Sequence, residues 1–517
     1  MIKDNSIFCF ARTGDLDGLE YPAVLDTTKD IETRNGILHV LGRSVNTDGI
    51  ISNINMKNYY VDDSGEICVI PDAISLVMRP KKLLQRIFLI RKELGNLPLI
   101  YAPSIGEPYL IPALVYAGIS LFDDALVRNQ SMRGTRYTVL GSLKDKETLS
   151  ANMAFLDEML SSLRKAIASQ TLREVVEKYQ FSSKAVEIIR SLDIYFPAES
   201  ERYFPSRTPY IKANGIISLN RPDLRKYREK ISNEYRRPEG KEICLLLPCS
   251  ARKPYSASSL HRRIIGRIGK YLTSVHRVVV TSPVGLVPEE LEGMYPARFY
   301  DIPVIGEWFE DEKMIIRDML RSYFRRNSYA KVIAYIQDDL SFIEDSLPNG
   351  STIIKGRIRN GEMLDMLENE LSKEVLLKET VQNEHISRLK SMARFQFGDW
   401  IEPLIASMRY TRSYNQDMLT LGGKAMLVHN ERTGKLSVTR AMAVNFVEMG
   451  RFTVTIDDFK PTANIYAVGV KAVTEDIRQE DEVAIAYDHE VRGVGVAKMP
   501  APFMLNLKKG VAVKVRN

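Results

Sequence analysis

Cysteine is scarce in this chain. Four occur in 517 residues, at Cys9, Cys68, Cys244 and Cys249, and none forms a Cys-x-x-Cys pair. That spacing argues against a disulfide framework and a thiolate zinc ribbon, so no metal site is expected. Long apolar runs are missing too: none approaches the roughly 18 residues of a membrane helix. The first residues, Met1 to Asp15, lack the apolar core of a signal peptide. No P-loop pattern Gly-x-x-x-x-Gly-Lys-Ser/Thr occurs. The expectation is a soluble, cytoplasmic protein without a membrane partner. Charge of one sign is not in great excess. Lys and Arg number 72 against 65 Asp and Glu, a net +7, which permits a polyanionic partner without demanding one.

What is present is enough apolar material, 44% of residues, for several cores. The length suggests roughly three or four domains. Changes in secondary-structure pattern divide the chain at 1–220, 221–380, 381–449 and 450–517. In the first segment, 97–101 and 120–122 read as strands around a helix over 108–117, a βαβ unit and hence a parallel sheet. Asn152 is placed to cap a helix with the stripe Leu156, Met159, Leu160, Leu163 and Ile167. The second segment repeats the α/β pattern. Runs at 243–247, 277–280, 331–336 and 352–354 read as buried parallel strands. Met314, Ile315, Met319, Leu320, Tyr323 and Phe324 mark a helix between them, and 362–380 reads as an exposed helix. Residues 385–448 read as a small α+β unit. Beyond 450, strands at 452–456, 482–486, 493–497 and 511–515 suggest a small β-barrel.

The most informative stretch is Pro248-Cys249-Ser250-Ala251-Arg252-Lys253-Pro254-Tyr255-Ser256-Ala257-Ser258-Ser259-Leu260-His261. It starts where a predicted strand ends and leads into a helix capped by Ser258 or Ser259. Open α/β sheets carry their sites at such strand ends. Helix N-termini stabilise anions. The thiol of Cys249, beside Lys253 and Arg252, is therefore expected to have a lowered pKa. His261, in the first turn, is expected to be neutral and able to relay a proton. A loop that only binds phosphate is the competing reading. Cys9, Cys68 and Cys244 read as core residues.

The pattern Pro-Cys-x-x-x-Lys-Pro-Tyr-x-x-Ser-x-x-His, carried here by Pro248, Cys249, Lys253, Pro254, Tyr255, Ser258 and His261, resembles the signature of the archaeosine synthases. Tyr101 to Pro108, Leu114 to Asp124 and Leu172 to Glu177 resemble the transglycosylase-like N-terminal domain of that family. Arg394 to Gly398 resembles the start of its small third domain, and Ile465 to Val470 with Val494 to Ala497 its C-terminal PUA barrel. The resemblance implies an α/β multidomain chain: a TIM-barrel-related, transglycosylase-like domain (1–220), an α/β Rossmann-like catalytic domain (221–380), a small α+β domain (381–449) and a PUA RNA-binding barrel (450–517). Base-exchanging transglycosylases carry an Asp-Ser-Gly-Gly segment and a cysteine cluster. This chain has Asp63-Ser-Gly-Glu66 and no cluster, so its first domain is expected to serve as scaffold or RNA dock. Asp123 and Asp124, at a strand end, are the candidates for any further role there.

By resemblance, the substrate is transfer RNA bearing 7-cyano-7-deazaguanine in the D-loop and the product an amidine. The resemblance points to free lysine as amine donor and to a partner radical SAM enzyme that converts the adduct to archaeosine; a homodimer stays open. No cofactor is called for. Cys249 either adds to the nitrile as thiolate or the amine adds directly, with His261, Lys253, Tyr255 and Ser258 moving protons or positioning groups. Pro248 and Ser250 belong to the substrate loop. A loop over 281–285 before a helix, with Ser282, is the candidate receptor for the donor's carboxylate, and Asp301, Glu307 and Trp308 for its amine; a surface loop capped by Asp with a packed Trp is the competing reading. Arg492, Lys508, Lys509, Lys514 and Arg516 are expected to contact RNA phosphates. The alternatives are amidine formation from glutamine or ammonia, base exchange by a transglycosylase, and a non-catalytic RNA-binding subunit.

Overall fold

The computed structural model describes residues 1–35, 37–45, 57–146, 148–356, 361–374 and 384–516. The chain groups into two compact units, one made of 1–209 with 446–517, the other of 210–445.

In the first unit the βαβ pattern is realised. Strands Leu99–Tyr101 and Leu121–Asp123 pair in parallel, and the helix Ile111–Tyr116 joins them. Ala23–Leu25 extends the sheet beyond Leu121–Asp123, while Ile67–Val69 and the antiparallel Tyr60–Val61 extend it the other way. Among the described residues this sheet has five strands in an open order. Its core is built from Tyr21, Leu25, Val40, Ile67, Leu99 and Leu121, all essentially closed to solvent. The helix with the Leu156 stripe spans Leu149–Ala168, four residues earlier than a cap at Asn152 allows. Asn152 lies inside it, fully buried, and ties the helix to a neighbouring hairpin. Its Oδ1 accepts from Tyr137 N at 2.8 Å, and its Nδ2 donates to Thr135 O at 2.8 Å. A polar residue at the edge of an apolar stripe reads as a cap when its cross-chain partners cannot be seen.

The C-terminal part of this unit is a six-stranded sheet ordered Asn464–Tyr466, Val511–Arg516, Glu490–Ala497, Glu482–Tyr487, Thr453–Ile456, Val470–Val473. It packs on the N-terminal part through Gln479, whose Nε2 donates to Ile7 O at 2.7 Å.

The second unit centres on a five-stranded sheet. Its order is Gly285–Pro288, Val275–Thr281, Ile243–Pro248, Lys331–Ile336, Thr352–Lys355, parallel except for the first strand. All six residues of the middle strand are buried, as a strand with neighbours on both sides must be. The helix Glu310–Arg326 buries Ile316, Met319, Leu320 and Tyr323. Met314, expected on that stripe, is 56% exposed instead. The helix predicted over 362–380 runs Gly361–Glu374; residues 375–380 lie outside those described. A four-stranded antiparallel meander from Arg409 to Val438 and the helix Glu384–Phe397 complete the unit. Among the described residues no helix is long and apolar enough to cross a membrane.

Candidate active site

The middle strand of the second unit delivers Pro248 and Cys249 to the carboxyl edge of the sheet. The chain then passes through Lys253 and Pro254 into the helix Ser259–Arg267. Ser258 caps that helix, its Oγ accepting from His261 N at 3.2 Å. Ser256 fixes the loop from the other side: its N donates to Glu292 Oε2 at 3.0 Å and its hydroxyl to Glu292 Oε1. Ser250 Oγ donates to Arg252 O at 3.1 Å, an internal bond of the loop.

His261 is 1% exposed. Its Nε2–H donates to Pro248 O at 3.0 Å and its ring stacks on Tyr255 with centroids 5.9 Å apart. Burial presses its pKa from 6.5 down to about 4, so the ring is neutral as expected. Loss of water is the main cause, where a helix dipole had been expected to act.

Beneath the loop lies a hydroxyl cluster. Tyr255 OH and Tyr300 OH are 2.7 Å apart, and Thr281 Oγ1 is 2.6 Å from Tyr300 OH. Lys253 Nζ sits 3.9 Å from the centre of the Tyr300 ring, a cation–π contact. Burial lowers the Lys253 pKa, against the pull of Cys249 and Asp301. The Cys249 thiol moves the other way from the expectation. Burial raises its pKa above the ordinary value and Asp339 adds to the rise, outweighing the Thr281 hydrogen bond and the Lys253 charge. Desolvation disfavours the thiolate more than one flexible ammonium favours it. At rest the sulfur is therefore a thiol.

Cys249 opens onto a cavity of about 320 Å³. Of the sequence-predicted residues, Cys249, Ser282, Glu307 and Trp308 line it. Pro248, Ser250, Lys253, Tyr255, Ser258, His261 and Asp301 support or flank the loop without lining the cavity. Its other walls come from the segment 213–219, from 302–306, and from Phe309, Glu312 and Asp339. Trp308 Nε1 donates to Asp339 Oδ2 at 3.1 Å.

Two expectations need correction here. The segment 281–285 does not lead into a helix. It is the turn of a hairpin in which Thr281 pairs with Gly285, and the strand Gly285–Pro288 follows. Gly285 has φ +94°, and a Cβ there would meet the Met319 sulfur at 2.1 Å. The helix expected to follow Ser282 directly is therefore replaced by a strand. Ser282 Oγ instead donates to Glu312 Oε1 at 2.5 Å. Asp301 lies outside the cavity, and its Oδ1 accepts from Ile302 N at 3.0 Å. Sequence reasoning missed Glu312 and Asp339. Glu312 sits three residues after Phe309 at the start of a helix, a spacing that suggests only capping.

On the C-terminal sheet Lys508 and Lys514 are exposed and Lys509 is half-buried. Arg516 is held by Glu482, at 2.8 Å and 2.5 Å through its two Nη atoms. Arg492 Nη2 contacts Asp458 Oδ1 at 3.0 Å. Of the five cations predicted to meet RNA, these two are already paired.

Residues 456–517 match the PUA domain model, and 224–371 match a model described as a domain of unknown function, DUF5591. Archaeosine synthase subunit alpha of Thermoplasma acidophilum is 44% identical over 517 residues, all of both chains. The Methanosarcina acetivorans protein of the same name is 28% identical over 498 residues, 87% of this chain and 79% of that one. A tRNA-guanine(15) transglycosylase of Methanothermobacter thermautotrophicus is 24% identical over 376 residues, 69% of this chain and 52% of that one. Fold and matches together define a multidomain α/β protein with a C-terminal PUA domain, related to tRNA-guanine transglycosylases. Within that class, the chain belongs to the archaeosine synthase family.

Proposed function

We propose that this protein adds the side-chain amine of free lysine to the nitrile of 7-cyano-7-deazaguanine in the transfer RNA D-loop, giving an amidine that a partner radical SAM enzyme converts to archaeosine. The observation that carries the reading is the Cys249 thiol opening onto a cavity, with a partly desolvated lysine amine in the loop behind it. The region 221–380 acts as a Rossmann-like catalytic domain, and the N-terminal region serves as a transglycosylase-derived scaffold.

Cys249 and Lys253 are shifted toward each other in proton affinity, the thiol upward and the amine downward. As sulfur attacks the nitrile carbon, the Lys253 ammonium gives a proton to the nitrile nitrogen and takes the thiol proton in its place. A C–S bond forms, one π bond of the nitrile opens, and a neutral thioimidate results. The lysine amine then bonds to the same carbon, its surplus proton returns to sulfur, and the C–S bond breaks. The sum is a redox-neutral addition that needs no ATP. Tyr255, Tyr300 and Thr281 hold Lys253 and the thiol in register. His261 acts as a positioning residue, fixing the Pro248 carbonyl so that Cys249 points outward. The raised thiol pKa favours a second route, in which the amine adds directly and the loop supplies proton transfer alone. A covalent protein–RNA adduct formed without amine separates the two. The exposed Lys508 and Lys514, with Lys509, supply contacts to RNA phosphates. The base is stacked in folded RNA and must be turned outward to reach the cavity.

Intact-mass analysis of nitrile-bearing transfer RNA, incubated with the protein and lysine, glutamine or ammonia side by side, tests the proposal. A gain of one lysine is expected. Gain with glutamine or ammonia alone assigns a different donor. No change with any amine leaves an RNA-binding subunit, and exchange of labelled free base for guanine indicates a transglycosylase.

A further inference from the structure

Glu312 is the most enclosed carboxylate on the cavity wall. It is 9% exposed, and both oxygens are held by neutral donors: Oε1 by the Ser282 hydroxyl at 2.5 Å and Oε2 by Phe309 N at 2.9 Å. Among the described residues no Lys or Arg forms an ion pair with it. Capping the helix Glu310–Arg326 accounts for Oε2 alone. It does not account for a second anchor from another segment, nor for burial against a cavity. An enclosed anion with only two neutral donors retains lone pairs and gains from further N–H donors.

The walls around it suit a flat, weakly hydrated ligand. Ile216, Leu219, Ile302, Pro303, Trp308 and Phe309 line the same cavity. Phe309 is 63% exposed and Ile216 56%, an exposed apolar rim. The other two carboxylates on the cavity, Glu307 and Asp339, are exposed. A strongly hydrated ammonium suits those rim positions, where it keeps its water. A planar base edge with two adjacent N–H groups suits the enclosed one.

We propose that Glu312 is the specificity-determining residue for the base, accepting from the ring N–H and the 2-amino group of a guanine-type edge, with Ser282 as the positioning residue that aims it. This assignment rests on the function proposed above. It predicts rejection of a base that keeps the nitrile and lacks the 2-amino group.

The test compares kcat/KM for two synthetic RNAs, one with 7-cyano-7-deazaguanine and one with its 2-deamino analogue, using lysine as donor. The wild-type protein is expected to favour the first about tenfold to a hundredfold. In Glu312→Gln that ratio collapses toward one, because the amide meets the 2-amino group with a donor. Ser282→Ala, which keeps the carboxylate but frees it, lowers the ratio partway. Thermal unfolding of each variant checks that it is folded. A wild type that treats both RNAs alike, or a Glu312→Gln ratio equal to wild type with both rates reduced together, overturns the assignment and leaves a capping role. A rise in KM for lysine with base selectivity intact also overturns it, assigning Glu312 to the donor. No product from either RNA with wild-type protein refutes the function itself, and the inference with it.

Discussion

Two mostly parallel sheets in this chain each present a chemically capable residue at a carboxyl edge, and only one of them is open. In the N-terminal sheet Asp123 and Asp124 end the strand Leu121–Asp123. Asp123 is 2% exposed and accepts from Tyr101 OH at 2.8 Å, Ser104 N at 2.7 Å and Ala125 N at 3.1 Å. Asp124 is closed to solvent and bound by Thr27 N, Thr27 Oγ1 and Arg128 Nε. Three donors bind each of them and so hold loops together. In the second sheet Cys249 follows Pro248 at the equivalent edge, yet it lines a cavity and its neighbours are shifted in proton affinity. The position in the sheet is the same. Burial under several hydrogen bonds makes one edge structural, and the cavity beside Cys249 leaves the other free to react.

The largest expected effect that separates the edges is on stability. Asp124→Ala removes a buried carboxylate with three donors and should cost about 3–5 kcal/mol in chemical denaturation, while yield of modified RNA per folded molecule stays unchanged. A loss of activity without loss of stability would mean that the N-terminal edge takes part in chemistry.

His261 sharpens the same contrast through pH. Its folded pKa of about 4 lies below the ordinary 6.5. The fold therefore prefers the neutral ring, and the stability this confers is complete above 6.5 and is lost as pH falls from 6.5 toward 4. The loss should reach about 3 kcal/mol. His261→Gln keeps a donor for the Pro248 carbonyl and should flatten that part of the pH–stability curve. An unchanged slope would place the responsible group elsewhere.

The thiol itself gives a smaller, local signal. Cys249 is raised from 9.0, so the midpoint of its alkylation by iodoacetamide should lie above that value. Lys253→Met removes the charge that favours thiolate and should move the midpoint further up. A midpoint below 9.0 would restore the thiolate that the loop's charges alone suggest.

The smallest effect concerns RNA. Lys514→Ala should lower the salt slope of binding by about 1. Arg516→Ala should change the slope less and destabilise the sheet, since the ion pair to Glu482 is lost. Equal slopes for both variants would mean that the Arg516–Glu482 pair opens on RNA.

The strands of the second sheet were legible because a strand enclosed on both sides is apolar throughout, and Ile243–Pro248 and Lys331–Ile336 are such runs. The reactive loop was legible because its residues are contiguous and too polar for a core. The cavity was not, since its walls come from 213–219, 302–309, Glu312 and Asp339, segments that periodicity cannot bring together. The sign of the Cys249 shift was missed for a related reason. Neighbouring charges can be read from sequence, whereas the desolvation that outweighs them depends on what packs around the sulfur. Met314 and Asn152 erred in opposite directions, an apolar residue left at the surface and a polar one drawn into the interior by partners distant in sequence.

The most direct test of the open edge is the product formed by Cys249→Ala on nitrile-bearing transfer RNA with lysine, read by intact mass beside the wild-type protein at matched folded concentration. The open edge predicts a gain of one lysine with wild type and a rate lower by on the order of 10² or more in the variant. Equal rates in the two proteins would contradict it.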